Sequence, residues 1–215
     1  MNLNLTTLPK GLLRIVLLIV VGQISNANAA NFNYSQVQLQ VGYASFDEPI
    51  IITSSDATED QHRHLRVFGL SAAYQFPNSV FIGASATEGS SATELSQVDS
   101  TADSLYIGYA IGLRNRMDLY ATLGSYNSAA KACNDVECNS MNDHTFGYDF
   151  GVRGGVGYWF EWGLNLKTLP YEKLGESSTL GVHGAIWIDR HSSLVSNWIR
   201  NDDGYTLTLG YRFSY

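Results

Sequence analysis

The strongest constraint on the fold is a strict two-residue alternation that continues to the last residue, in the stretch YTLTLGYRFSY at 205–215. Large apolar or aromatic side chains fill every odd position: Tyr205, Leu207, Leu209, Tyr211, Phe213 and Tyr215. The even positions carry Thr, Gly, Arg and Ser. Successive side chains of a β-strand point to opposite faces, whereas chain ends are usually frayed. The stretch therefore predicts a strand that is held in place along its whole length.

The same alternation recurs through the rest of the sequence, and no convincing helical period is present. Nine segments are clear, and a tenth at 193–200 is less regular. The predicted strands are 36–45, 66–76, 80–87, 104–114, 119–126, 145–158, 162–168, 180–189, 193–200 and 205–215. The pattern therefore predicts an all-β protein.

The connections between these segments alternate in length. Short turns are predicted at 77–79, 115–117 and 160–161, and long connections at 46–64, 88–103 and 127–144. The long connections hold more than half of the 20 acidic side chains. Short turns on one side and long loops on the other are typical of an up-and-down membrane barrel.

The second face of each strand distinguishes a membrane barrel from a soluble sheet. A soluble sheet turns its apolar face toward a core and its charged face toward water. Here the second face carries Gly, Ser, Thr, Ala and Gln with isolated charges, and these side chains are small enough to fill a narrow barrel. Tyr and Trp lie toward the strand ends, as in the aromatic girdles of a bilayer. We therefore predict an up-and-down antiparallel transmembrane β-barrel with ten strands, or alternatively eight.

The first residues have the pattern of a secretory signal peptide. Lys10 and Arg14 precede a short apolar run at 15–21, and small residues follow up to Ala29. The run is too short for a membrane helix, which needs about 20 residues. We predict a signal peptide at 1–29 and one outer-membrane β-barrel domain at 30–215.

Composition limits the partners and cofactors. The chain carries 13 Lys and Arg against 20 Asp and Glu, a formal charge of −7, which disfavours binding to nucleic acid. Cys133 and Cys138 form a close pair, which predicts a disulfide in an exported protein. No cofactor or metal is predicted.

The alternating aromatics of 205–215, with an aromatic final residue, resemble the last strand of small outer-membrane β-barrel proteins of the OmpA/OmpX/Ail type. The resemblance implies the outer membrane of a Gram-negative bacterium, with its lipid and lipopolysaccharide as surroundings. It also implies that the barrel-assembly machinery reads Tyr205, Leu207, Leu209, Tyr211, Phe213 and Tyr215 as its recognition signal. We expect a monomer.

Four charged side chains are predicted to point into the lumen: Asp149, Arg153, Lys167 and Arg212. They could form a charged constriction that selects permeants, or an ion network that fills a narrow barrel. The second interpretation is favoured, because unpaired charge in such an interior is costly and small barrels are filled by side chains.

Two segments of the first long connection are candidate binding sites. Glu59, Asp60, His62 and His64 could bind a divalent metal, but a solvated acidic loop is the favoured interpretation. Residues 49–52 form an apolar patch that could contact a neighbouring surface or pack on the barrel rim.

A third candidate function is that of a serine hydrolase. His191 and Ser193 have the H-x-S spacing of the outer-membrane lipid A deacylases, in which the serine is the nucleophile. An asparagine follows the serine in those enzymes, whereas Leu194 follows it here, and the predicted topology places His191 in a periplasmic turn. The favoured function is therefore a non-enzymatic structural or surface-interaction barrel that acts through acidic extracellular loops. The alternatives are a narrow porin and, third, a lipid A-modifying hydrolase.

Overall fold

A computed structural model of the protein describes residues 31–53, 59–113, 116–172 and 175–215. Over these residues the chain forms ten strands. Their bounds are β1 Gln36–Thr53, β2 Glu59–Gln75, β3 Val80–Ala92, β4 Gln97–Leu113, β5 Met117–Cys133, β6 Cys138–Val156, β7 Phe160–Tyr171, β8 Gly175–Trp187, β9 Ser192–Arg200 and β10 Gly204–Ser214. The predicted signal peptide at 1–29 lies outside the described residues.

The strands form one closed antiparallel barrel in which each strand pairs with its neighbours in the sequence and β1 pairs with β10. The closing register runs from Gln36 opposite Ser214 to Phe46 opposite Gly204. The alternating stretch at the end of the sequence is thus the closing strand. The prediction of a ten-stranded up-and-down barrel is confirmed over the described residues, and the alternative of eight strands is wrong.

Most large apolar side chains of the strands point away from the barrel interior. Leu105, Leu123 and Leu209 are 66%, 59% and 63% exposed, whereas the inward-facing Thr122 and Thr208 are 9% and 3% exposed. The apolar face of the sheet is therefore on the outside, where hydrocarbon surrounds a membrane barrel. No helix among the described residues is long and apolar enough to span a membrane.

Glycines make room for aromatic rings inside the barrel. The ring of Tyr106 lies over Gly83 on the neighbouring strand, and the ring of Tyr120 lies over Gly151. A Cβ atom at either glycine would collide with the ring. The glycines of the inward face are therefore what allows a narrow lumen to hold large side chains.

The long connections predicted at 46–64, 88–103 and 127–144 are largely strand, and the loop prediction there is wrong. β5 and β6 remain paired until Cys133 lies opposite Cys138, and β3 and β4 remain paired until Ala92 lies opposite Gln97. Polar strands of this kind lack the apolar face that signals a strand, because they extend beyond the lipid. Residues 54–58 of the first connection lie outside the described residues.

The apolar outer band ends at a ring of polar outward-facing positions. They are Arg66, Glu88, Asp103, Asn127, His144, Thr168, Ser178 and Arg200. β1–β6 continue well beyond this ring, whereas β9 ends at Arg200 itself. The extracellular rim is therefore high on one side of the barrel and low on the side of β7–β10.

Candidate functional site

A buried carboxylate, Glu161 of β7, organises the periplasmic half of the lumen. Its side chain is fully buried and accepts two hydrogen bonds from Arg153, with nitrogen–oxygen distances of 2.8 and 2.9 Å. Arg212 reaches it from β10 with two more bonds of 2.9 Å, and His183 Nε2 lies 3.5 Å from Oε1. Because two guanidinium groups share one carboxylate, the cluster ties β6, β7 and β10 together across the barrel.

The segment before β1 enters the lumen and closes its periplasmic end. Asp118 of β5 is buried and accepts the backbone N–H groups of Asn31 and Phe32, at 2.8 and 3.1 Å. The Arg153 guanidinium lies 4.8 Å from the ring centre of Phe32 and 5.0 Å from that of Tyr34. We call residues 31–35 the N-terminal plug.

Aromatic stacking holds the upper end of the N-terminal plug. The Tyr34 ring stacks on Phe81 of β3 with centroids 4.6 Å apart, and the Tyr34 N–H donates to Gln75 Oε1 at 2.9 Å. Phe32, Tyr34 and Phe81 are all buried. The seal is thus partly ionic, at Glu161 and its arginines, and partly apolar.

A cavity of about 270 Å³ lies in the lumen above this seal. Arg153, Arg212 and Tyr34 form part of its wall, as do Asp149 and Lys167. Asp149 and Lys167 are directly opposite each other in the register of β6 and β7. Asp149 nevertheless accepts a hydrogen bond from Asn165 Nδ2 at 3.0 Å, and the Lys167 ammonium lies 4.9 Å from the ring centre of Tyr126. We call this cavity the lumen cup.

All four charges assigned to the lumen from the sequence are placed inside the barrel. Arg153 and Arg212 belong to the Glu161 cluster, and Asp149 and Lys167 line the lumen cup. The sequence pattern does not reveal Glu161, because it predicts a turn at 160–161. The turn is at 157–159, where Gly157 has a φ of 59°. With the turn there, Glu161 lies on the same face of β7 as Asn165 and Lys167, two and three alternations further along. This alternation is the signal in the sequence that places Glu161 inside the barrel.

The sequence matches one protein family, described as the outer membrane protein beta-barrel domain, over residues 15–213. The chain belongs to this family. It is therefore an outer-membrane β-barrel protein of Gram-negative bacteria, as the resemblance of its last strand implied. Among curated proteins, none matches the sequence.

Several solved outer-membrane barrels are similar in structure. Ail, the attachment invasion locus protein of Yersinia pestis, is 18% identical with a TM-score of 0.43, covering 83% of this chain and 99% of its own. The N-terminal barrel domain of Pseudomonas aeruginosa OprF is 12% identical with a TM-score of 0.43, covering 85% and 98%. The KdgM porin is 8% identical with a TM-score of 0.46, covering 84% and 99%. Similarities of this extent assign no function to this chain beyond its membership of the family.

On the extracellular side of this family barrel, the segment considered as a metal site forms a different structure. His62 is buried, and its ring nitrogens lie 2.9 Å from Ser91 Oγ and 2.6 Å from Ser96 Oγ. Asp60 accepts short hydrogen bonds from the hydroxyls of Ser96 and Thr93. Among the described residues, no group of three or more His, Cys, Asp or Glu is arranged to hold a metal ion.

The two remaining residues of the candidate metal site, Glu59 and His64, take no part in these hydrogen bonds of Asp60 and His62. The His64 ring packs edge-on against Tyr43, with centroids 6.4 Å apart, and Glu59 is exposed. The expectation of a solvated loop is therefore wrong for Asp60 and His62, which form a latch between β2 and the β3–β4 hairpin. We call Asp60, His62, Ser91, Thr93 and Ser96 the rim latch.

The H-x-S pair near β9 has partners that do not suit a hydrolase. Ser193 is fully buried in the lumen, and its Oγ accepts a hydrogen bond from Arg212 Nε at 3.0 Å. His191 lies in the periplasmic turn, with Nδ1 2.9 Å from the carbonyl oxygen of Ser214. His191 therefore anchors the end of the closing strand, and Ser193 belongs to the arginine network.

The tip of the β5–β6 hairpin reaches the end of β1. The Sγ atoms of Cys133 and Cys138 are within bonding distance. Between them, the Asn134 side chain accepts the N–H groups of Val136 and Glu137 and donates to the carbonyl oxygen of Thr53 at 2.8 Å. The tip of the β5–β6 hairpin and the end of β1 thus contact each other above the lumen. We call the hairpins formed by β1–β6 on the high side of the rim the high hairpins. Within the patch at 49–52, Ile51 is exposed on the outer face.

Proposed function

We propose that this protein is a non-enzymatic structural and surface-interaction barrel that acts through its extracellular hairpins and does not let solutes pass through its lumen. The observation that carries the proposal is the seal at the periplasmic end. Glu161, its two arginines and the N-terminal plug fill that end of the lumen with paired charge and packed rings. Because this arrangement blocks the axis of the barrel, we place the function of the protein on the outside.

The high hairpins offer a surface suited to contact with a partner. Their strands are hydrogen-bonded to the tips, so they project rigidly from the membrane. Val136 at one tip is 71% exposed and lies between the acidic Asp135 and Glu137. The acidic side chains on either side of Val136 favour a partner with a basic surface.

The closed interior is tested by conductance in planar bilayers. We expect the full mature chain to give no channel steps. A variant that lacks residues 31–35 should give small steps, because the apolar part of the seal is then missing. Ohmic steps from the unaltered chain, with an ion selectivity that shifts in Arg153→Ala, would overturn the proposal. They would establish the narrow porin, which the lumen cup favours as second candidate.

The surface role is tested with the protein in lipid nanodiscs over polylysine and polyglutamate surfaces. We expect salt-sensitive retention on polylysine only. A variant in which an Asn-Gly turn replaces residues 129–142 should bind several-fold less. A matched control, in which both Asp202 and Asp203 in the low β9–β10 connection become Asn, should keep most of its binding. Equal retention of the hairpin variant would contradict a role for the β5–β6 hairpin.

A further inference from the structure

Two side chains that line the lumen cup have buried polar atoms without a hydrogen-bond partner in the part of the chain that the structure describes. Tyr34 Oη and Gln36 Oε1 are buried without a hydrogen bond among the described residues, and both side chains line the cup. Tyr34 as a residue is only 7% exposed. Buried polar groups are nearly always hydrogen-bonded, so a polar guest of the cup can supply partners for these two side chains once they turn toward it.

The cup also contains two opposite charges that lie near each other and do not form an ion pair. Asp149 and Lys167 are register partners, yet within the described residues Lys167 forms no hydrogen bond or ion pair and packs against Tyr126 instead. Asp149 is held by Asn165. A guest between these side chains can accept hydrogen bonds from the ammonium and donate one to the carboxylate.

The chemistry of the wall defines the class of guest. A free phenol donor, a free amide acceptor and a carboxylate with spare acceptor capacity all suit hydroxyl groups, which both donate and accept. The Lys167 ammonium suits a carboxylate. The rings of Phe81 and Tyr106 line the same cavity and offer apolar faces to C–H groups. A volume of about 270 Å³ lies just below the range of drug-sized pockets.

Access to the cup is from the extracellular side. The N-terminal plug and the Glu161 cluster close the other end. The rim is low along β7–β10, where β9 ends at Arg200. Three polar side chains of the cup wall, Lys167, His183 and Asn197, come from β7, β8 and β9 and are half-buried. A solute can therefore approach over this side of the rim.

We propose that the lumen cup is a binding site for a small polyhydroxy carboxylate that enters from outside. The carboxylate lies at Lys167, and the hydroxyl groups donate to Asp149 and pair with Tyr34 and Gln36 once these two side chains turn toward the cup. The site is a blind chamber above the seal, so binding there is separate from passage through the barrel.

Isothermal titration calorimetry of the full mature chain in detergent micelles tests the proposal with D-gluconate as probe. We expect saturable binding with a dissociation constant in the millimolar range. D-sorbitol, which has the same carbon skeleton without the carboxylate, should bind at least tenfold more weakly. Lys167→Met should weaken gluconate binding at least tenfold. Lys131→Met, the same change on the outer hairpin, should leave it unchanged.

Circular dichroism and heat-modifiable electrophoretic mobility show that each variant is folded. Asp149→Asn provides a second test, because it should weaken the binding of gluconate by removing an acceptor for its hydroxyl groups. Three results overturn the proposal: no saturable heat at tens of millimolar gluconate, equal affinity for sorbitol, or tighter binding of glycine, which would indicate a zwitterionic guest.

Discussion

At the scale of single residues, the Glu161 carboxylate is the centre of the buried ionic cluster in the lumen. Glu161 is fully buried and holds Arg153 and Arg212, which are 4% and 3% exposed. Burying three charges is costly unless they satisfy each other, and here every guanidinium–carboxylate contact is a hydrogen bond of 2.8–2.9 Å. Removing the carboxylate therefore leaves two cations uncompensated.

Glu161→Gln should lower the free energy of unfolding by about 3–5 kcal/mol, the usual cost of breaking a buried ion pair. The measurement is urea unfolding of the protein in lipid vesicles, followed by tryptophan fluorescence. Glu88→Gln on the outer face is the control and should change stability by less than about 0.5 kcal/mol. A loss below about 1 kcal/mol for Glu161→Gln would show that the arginines find other partners.

The rim latch has a defined pH dependence. Hydrogen bonds from the Ser96 and Thr93 hydroxyls hold the pKa of the Asp60 carboxyl below its ordinary value, which is about 3.9. The contribution of Asp60 to stability is therefore fully present above the ordinary pKa. It is lost as the pH falls through the lower value of the folded state. Carboxyl-carbon NMR should give a midpoint below about 3.9, and Ser96→Ala should raise it; an unchanged midpoint in Ser96→Ala contradicts this explanation.

At the scale of strands and hairpins, the sequence predicted the strands that touch lipid and missed the parts that extend beyond it. Alternating Leu, Val and Tyr marked the membrane segment of β1, with Leu39 and Val41 outward. β5 continues through 127–133 with Ser, Ala and Lys, which have no alternating oily face. This part of β5 is a strand because it pairs with β6, and such pairing cannot be recognised from the sequence of one strand.

The β5–β6 tip should depend locally on its cysteines. A disulfide that closes a ring of so few residues contributes about 2 kcal/mol by chain entropy, and this tip lies above the membrane. Cys133→Ser with Cys138→Ser should speed hydrogen exchange at 131–140 and leave the urea midpoint of the barrel unchanged. Faster exchange throughout β5 and β6, within the membrane, would indicate that the hairpin supports the barrel itself.

The closing strand should matter for assembly as well as for stability. Phe213 and Tyr215 are outward-facing at the end of β10, next to the start of β1. If the assembly machinery reads this strand, Phe213→Ser with Tyr215→Ser should reduce heat-modifiable folded protein in outer-membrane fractions several-fold. Ile188→Ser with Leu194→Ser, a control of similar exposure near β8 and β9, should reduce it less. Equal losses would assign the effect to lipid contact alone.

At the scale of the whole molecule, the architecture could be predicted but the lumen only in part. Nine clear alternating segments and a less regular tenth, with the alternation kept through 205–215, were enough to predict a closed barrel. The lumen charges Asp149, Arg153, Lys167 and Arg212 follow from parity along their strands. The N-terminal plug could not be predicted, because its contacts with Asp118 and Arg153 join residues that are distant in the sequence. The position of the N-terminal plug is thus a property of the folded barrel.

The central claim is that the apolar faces of the strands contact hydrocarbon and the polar faces enclose the lumen. Spin labels on single cysteines at 119–126 of β5, in a chain without Cys133 and Cys138, test it most directly in lipid vesicles. Accessibility to oxygen should peak at Leu119, Ala121 and Leu123 and be low at Tyr120 and Thr122. A flat profile, or the opposite alternation, would contradict the account.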